Sequence, residues 1–349
     1  MVQPCPGPIV LFGSGETAPG SQTIYDYVMR LIAPPVRISI LETPAGFELN
    51  SDRVAGRIAD YLREHLPNWK PEIAVIPARK RGTPCSPDDP AIIEPLWRSN
   101  VIFAGPGSPT YAVRQLRGSL AWHIALARHR LGAALILASA AVIAASAHTI
   151  PVYEIHKVGM DLHWQPGLDL LGAYGLRAAL VSHWDNQEGG AELDTSRCWM
   201  GRSRFEALRA MLSPETPILG IGEHTALILN CAHSTCQVMG RSGVTILRGD
   251  SEQYLPTGSE TPLDALFDWQ PIEPANGLPA EVWRRALEIA QEQPSRPTAP
   301  PEALALAEAR QAARARRDWA AADALRAQIE ASGWQVQDTP TGPQLIPRS

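Results

Sequence analysis

The stretch Leu131-Gly-Ala-Ala-Leu-Ile-Leu-Ala-Ser-Ala-Ala-Val-Ile-Ala-Ala-Ser-Ala147 decides the fold. From Ala133 to Leu137 it is an apolar run without alternation, the pattern of a strand buried on both faces of a parallel sheet. After Ser139 the residues are small, rich in alanine and free of Gly and Pro through Ala147, which favours a helix. The order predicts a buried strand, a tight turn at Ser139 and a helix. Such an elbow holds a serine hydroxyl off the end of the sheet, beside a helix N-terminus whose amides and dipole stabilise an oxyanion. Two readings of Ser139 stay open at this point: a nucleophile, or an N-cap, for which Ser is a preferred residue. Leu137 and Ala141 stand two residues to either side, where the elbow pattern has glycine. The stretch is too short for a membrane span, and Arg130 and His148 bracket it.

Working outward, strands and helices alternate. A strand at 9–12 runs into Gly13-Ser-Gly-Glu-Thr17 and a helix at 24–31. Strands at 36–41, 73–76 and 101–104 follow, separated by helices near 52–66 and 92–97. This alternation predicts an α/β fold, a three-layer α/β/α domain with a mostly parallel sheet, and places ligands at the carboxyl ends of its strands. The loop at 13–17 matches neither the dinucleotide nor the nucleoside-triphosphate fingerprint, so no cofactor is expected. Gly105-Pro-Gly-Ser-Pro-Thr110 lies at a strand end and reads either as a rigid loop with amides facing a ligand or as an ordinary turn.

A later strand, 176–181, ends in Ser182-His183-Trp184-Asp185, and another, 218–222, ends in Glu223-His224-Thr225. His183 is thereby placed to act as a general base and Glu223 to orient it. The alternative for His183 is a hydrogen-bonded structural histidine; His148, His156 and His163 compete but follow no comparable strand. The helix at 198–212 carries Arg202 and Arg204, which either hold a substrate carboxylate or face solvent.

Composition narrows the classes. At 349 residues the chain exceeds one average domain, and a net charge of −5 gives no general attraction to nucleic acid or anionic membrane. Small-molecule substrates are the default. Five scattered cysteines form neither a zinc pattern nor an even disulfide framework, so no metal is expected and the thiols are read as reduced. No charged segment precedes an apolar one near residue 1, and a cytoplasmic location is the expectation.

The C-terminal part has its own pattern. Pro271, Pro274, Pro279, Pro294, Pro297, Pro300 and Pro301 mark 271–300 as a linker with one short helix at 281–290, separating a domain at 1–270 from a module at 301–349. Helices at 302–316 and 319–331 are predicted, with Asp318 as N-cap and Gly333 as stop. Trp319, Ala322, Leu325 and Ile329 share a face, which predicts an antiparallel helical hairpin. A small β-hairpin, 334–336 with 344–346, is expected around Asp338-Thr-Pro-Thr-Gly342.

These motifs carry two resemblances. Phe12-Gly-Ser-Gly-Glu16, Phe103-Ala-Gly-Pro-Gly-Ser108, Ala138-Ser-Ala140, His183 followed by Gly201-Arg-Ser-Arg-Phe205, and Gly220-Ile-Gly-Glu-His-Thr-Ala226 make roughly residues 8–250 similar to the serine peptidase family of dipeptidase E and cyanophycinase. That family shares the class I glutamine amidotransferase-like fold. The resemblance implies Ser139 as nucleophile, His183 as base, Glu223 as orienting acid, and the amides of Gly107 and Ala140 as oxyanion hole. Arg317-Asp-Trp-Ala-Ala-Ala-Asp-Ala-Leu-Arg326 and Asp338-Thr-Pro-Thr-Gly342 resemble the C-terminal domain of cysteinyl-tRNA synthetases, without the synthetase's catalytic apparatus. The expectation is a serine hydrolase cleaving a peptide or amide bond. Its alternative is a catalytically inactive ligand-binding protein whose hairpin contacts tRNA or a protein partner. Between 300 and 349 six arginines balance six acidic residues; Arg310, Arg314 and Arg317 either line one face toward RNA phosphates or belong to a packing or homodimerising hairpin.

Overall fold

Runs such as Ile9-Val-Leu-Phe12 and Ala134-Leu-Ile-Leu-Ala138 are apolar on both faces, and each is wholly buried between helical layers. The computed structural model describes residues 4–292, 299–339 and 342–347. The chain divides into two compact units, 1–293 and 294–349.

The first unit runs β1 (Ile9–Phe12), α1 (Gln22–Arg30), β2 (Arg37–Leu41), α2 (Ser51–His65), β3 (Glu72–Ile76), β4 (Val101–Ala104), α3 (Pro109–Leu116), α4 (Leu120–Arg130), β5 (Ala134–Ala138), α5 (Ala140–Ala144), β6 (His148–Thr149), α6 (Val152–His156), β7 (Gln165–Pro166) and β8 (Ala179–Val181). It continues with α7 (Gly201–Arg209), β9 (Ile218–Ile221), β10 (Thr225–Asn230), β11 (Thr235–Gly240), β12 (Gly243–Arg248), β13 (Ser251–Pro256), β14 (Glu260–Pro262) and α8 (Ala280–Glu292).

The main sheet has the order β14-β11-β10-β1-β5-β4-β2-β3. From β1 through β3 its neighbours are parallel, whereas β10, β11 and β14 are antiparallel. Alternate residues face opposite layers, as the pleat requires. Val10, Phe12, Ile38, Ile40 and Phe103 pack with Tyr25, Val28, Ile58 and Leu62 of α1 and α2. Ile9, Leu11, Ile102, Leu135 and Leu137 pack with Trp122 and Ile124 of α4 on the other side. This is the expected three-layer α/β fold.

The strands that precede His183 and Glu223 differ from expectation. They do not extend the parallel sheet but form a second one, β13-β12-β9-β8, in which only β8 and β9 are parallel. The Gly13 backbone is the joint between sheets: a Cβ there would lie 2.1 Å from the Gly222 carbonyl oxygen, so only glycine permits the approach. The helix after the elbow is also shorter than its alanine content suggests. Beyond Ala144 the backbone leaves the helix, Ser146 Oγ accepts from the Leu180 amide at 2.7 Å, and the Ala147 amide donates to Ala178 at 2.9 Å.

The segment read as a linker is corrected as far as residue 292. α8 buries Val282, Ala286 and Ile289 in the same core as α4, and Arg130 Nη1 donates to the Pro274 and Asn276 carbonyls at 2.9 and 2.6 Å. Its prolines bound a packed helix. Pro294 and Pro297 lie outside the described residues.

The second unit contains α9 (Pro301–Ala315), α10 (Trp319–Ala331), β15 (Trp334–Thr339) and β16 (Gly342–Pro347), the strands antiparallel. Asp318 caps α10 through Oδ1, accepting from the Ala321 amide at 3.1 Å, and Gly333 ends it at φ 82°. Ala303, Ala307, Ile329, Trp334 and Val336 make its core. Trp319 is 56% exposed, contrary to the predicted shared face, and the Arg314 guanidinium lies 5.7 Å from its ring centroid. Pro340 and Thr341 of the expected turn lie outside the described residues.

Candidate active site

Three loops at the carboxyl ends of β5, β8 and β9 bring Ser139, His183 and Glu223 together. Ser139 has φ 53° and ψ −112°, and its side chain makes no cap hydrogen bond to α5. The N-cap reading is therefore replaced by an elbow: the Ser139 amide donates to Phe12 of β1 at 3.1 Å, while Oγ stands 2.8 Å from His183 Nε2.

His183, at φ 52°, is held by its own backbone. Its amide donates to the Gly13 carbonyl at 3.2 Å and its carbonyl accepts from Cys198 at 3.1 Å. On the ring, Nδ1 lies 3.0 Å from Glu223 Oε1. A carboxylate only accepts, so in the neutral imidazole Nδ1 carries the proton and Nε2 accepts from the Ser139 hydroxyl. The hydrogen bond from His183, followed by one from Asn186, holds the Glu223 carboxyl below its ordinary value against the opposing effect of burial.

The surroundings include residues that the sequence reading did not single out. Asn186 Nδ2 donates to Glu223 Oε1 at 2.8 Å, and Asp185 Oδ1 accepts from the Glu223 amide at 2.6 Å. Asp185 Oδ2 in turn accepts from Ser242 Oγ at 2.5 Å. The sequence signal of Asp185 and Asn186 is closeness to His183; Ser242 has none. Trp199 covers the imidazole, ring centroids 4.7 Å apart and 54° between planes. It ends three successive left-handed residues, Arg197, Cys198 and Trp199, at φ 58°, 57° and 62°.

That turn accounts for Arg204. Its Nε donates to the Met200 carbonyl at 2.6 Å and its Nη2 to Trp199 at 2.7 Å, so the substrate-binding expectation is corrected: this guanidinium pins the turn under Trp199. Arg202 is exposed on α7, its amide bonded to Asp194 Oδ2 at 2.8 Å.

Gly107 has φ 145°, and a Cβ on it would lie 2.0 Å from the Pro44 carbonyl oxygen. Its loop follows β4, which pairs with β5 through Ala104 and Leu137. Among the described residues no hydrogen bond engages the amides of Gly107 or Ala140. Glu16, on the loop after β1, faces His183 and His224; burial raises its pKa, opposed by a backbone hydrogen bond and those histidines.

All five cysteines are free thiols, and burial pushes Cys198, Cys231 and Cys236 up to about 12, so these three do not ionise near neutrality. Among the described residues no helix is long and apolar enough to cross a membrane.

The fold is shared with a protein of known structure. A peptidase from an acI-B1 Actinobacterium superposes with a TM-score of 0.59 at 21% identity, over 74% of this chain and 97% of that one. A putative peptidase E protein from Listeria monocytogenes gives a TM-score of 0.42 at 13% identity, over 72% and 100%. Residues 296–344 match the family described as the cysteinyl-tRNA ligase anticodon binding domain. Over 35 residues the chain is 60% identical to the cysteine–tRNA ligase of Streptomyces griseus, a match covering 10% of this chain and 8% of that enzyme's length. The first unit thus has the fold of a peptidase, and the C-terminal unit is similar to a tRNA ligase module.

Proposed function

We propose that the first unit is a serine hydrolase acting on a peptide or amide bond. The observation that carries this reading is the continuous relay Ser139 Oγ to His183 Nε2 at 2.8 Å and His183 Nδ1 to Glu223 Oε1 at 3.0 Å. Ser139 Oγ attacks the carbonyl carbon as its proton passes to His183 Nε2, and the carbonyl electrons move onto oxygen. The amides of Gly107 and Ala140 receive that oxyanion, while Glu223 stabilises the imidazolium. Collapse expels the amine, which takes the proton from Nε2 and leaves an acyl ester on Ser139. Water then attacks the ester with its proton going to Nε2, and Ser139 recovers a proton as the acid departs. Of the two arginines that the sequence offered for a substrate carboxylate, Arg202, exposed on α7 beside the turn, keeps that role.

Labelling with a fluorophosphonate tests the reading. Wild type should be modified at Ser139, Ser139→Ala should not be, and an unreactive wild type favours the ligand-binding alternative. For the second unit, the family match at 296–344 supports contact with RNA. Arg314, half-exposed although its Nη1 lies 3.5 Å from Asp338 Oδ2, and the exposed Trp319 offer a cation and a stacking face. Arg310 is withdrawn from that role, being buried and forked onto Asp338 at 2.5 and 3.0 Å. A gel shift with transcribed tRNA should show binding weakened by Trp319→Ala together with Arg314→Ala; no shift at low salt counts against RNA.

A further inference from the structure

Beside the elbow lies a cleft of about 880 Å³ that the hydrolytic relay leaves without a role. Ser139 is not on its wall, but Ser108 and Thr110, which follow Gly107, are. The wall continues along α3, which packs on α5 through Ala112, Val113 and Ala144, so the cleft opens from the same end of the sheet. A volume of this order holds a short peptide.

Its lining has three distinct parts. Phe47 and Tyr153 are 48% and 37% exposed, and the Phe47 ring lies 5.2 Å from Tyr111 and 6.4 Å from Tyr153, a set of aromatic faces open to the cleft. Glu154 Oε1 accepts from Thr110 Oγ1 at 2.5 Å, whereas Oε2 is buried with no donor among the described residues. A buried acceptor left unmet is costly, which makes it a place for an incoming N–H. Arg114 and Lys157, also on the wall, have no ion-pair partner among the described residues.

We propose that this cleft is a specificity subsite for an aromatic residue of a peptide substrate, with a peptide N–H at Glu154 Oε2 and a carboxylate toward Arg114 and Lys157. The inference rests on the hydrolase reading for its place in catalysis. Aromatic faces also attract cations, but here the chain supplies its own: the Arg114 guanidinium lies 5.1 Å from the Tyr111 ring centroid. A second cation would find Glu48 and Glu154 on the wall but also three cations, Arg114, Arg117 and Lys157, whereas a neutral ring stacks on the same faces without that repulsion.

The test uses the full chain and the tripeptides Gly-Phe-Gly, Gly-Ala-Gly and Gly-Lys-Gly as protectants of Ser139 against a fluorophosphonate, each protein compared with its own unprotected rate. Gly-Phe-Gly should protect at concentrations about tenfold or more below Gly-Ala-Gly, and Phe47→Ala with Tyr153→Ala should erase that preference. Arg114→Glu with Lys157→Glu should abolish the advantage of Gly-Phe-Gly over its carboxamide. Equal protection by the Phe and Ala peptides, stronger protection by Gly-Lys-Gly, or a preference that survives the aromatic substitutions overturns the subsite. If wild type is not labelled at all, the hydrolase reading fails separately, and calorimetric binding of the same three peptides decides the cleft by the same ranking.

Discussion

Ser139 occupies a backbone region that L-residues avoid, and strain of this kind costs on the order of 1–3 kcal/mol. The surrounding hydrogen bonds to Phe12 and His183 hold it there. Ser139→Gly should therefore gain roughly 1 kcal/mol in chemical denaturation while losing all fluorophosphonate reactivity, since glycine accepts positive φ at little steric cost. A destabilised Gly variant would mean the conformation is not strained. Glu223 offers a second test through Asn186. A carboxyl whose folded pKa is depressed contributes stability above its unfolded pKa, and that contribution is lost as pH falls through the folded value. Asn186→Ala removes one of the bonds to the charged form, so the Glu223 carboxyl, followed by carbon NMR, should titrate at higher pH than in wild type. Glu223→Gln should lower kcat by on the order of 10²–10⁴. An unmoved titration would show that Asn186 does not hold the carboxylate.

At the scale of elements, the left-handed turn 197–199 is unfavourable by itself and is held by side chains from its flanks. Arg197 Nη1 donates to the Trp184 carbonyl at 2.7 Å and Arg204 binds the carbonyls of Trp199 and Met200. Loss of a charged donor that serves two carbonyls costs about 1–3 kcal/mol. Arg204→Ala should lower stability by that amount and reduce kcat through the loosened Trp199, whereas exposed Arg202→Ala should stay within about 0.5 kcal/mol of wild type. Equal effects of the two would contradict the assignment of Arg204 to the turn. α8 makes a comparable case. Val282 and Ile289 each contribute roughly 1.5–3 kcal/mol by burial, so a chain ending at residue 270 should be less stable than one ending at 293 by roughly 3–6 kcal/mol in urea unfolding.

For the whole molecule, the two units have separate cores, and a defect in one should be read out in that unit. Arg310 is buried against a half-exposed Asp338, and the hydrogen bond from Arg310 holds the Asp338 carboxyl below its ordinary value. Arg310→Ala leaves that carboxylate without its main partner and should raise amide hydrogen exchange across α9 and α10 by about tenfold or more, with β1, β4 and β5 unchanged. Faster exchange throughout the sheet would mean that the units unfold as one.

Local pattern by itself determined the elbow, the alternation that makes the parallel half of the main sheet, the Asp318 cap and the Gly333 stop, because each depends on residues a few positions apart. It also brought Ser139, His183 and Glu223 to strand ends. Tertiary structure decided the rest. Whether β8 and β9 extend the main sheet or build another depends on the contact of Gly13 with Gly222, more than two hundred residues apart in sequence. Asn186, Asp185 and Trp199 took their places around His183 and Glu223 only when two loops closed on each other. Arg204 looked like a substrate ligand because its partners are carbonyls, which every residue carries and no sequence pattern marks. The proline-rich stretch before residue 293 read as a linker for a related reason: its apolar residues gain meaning only from the face of α4 that they cover.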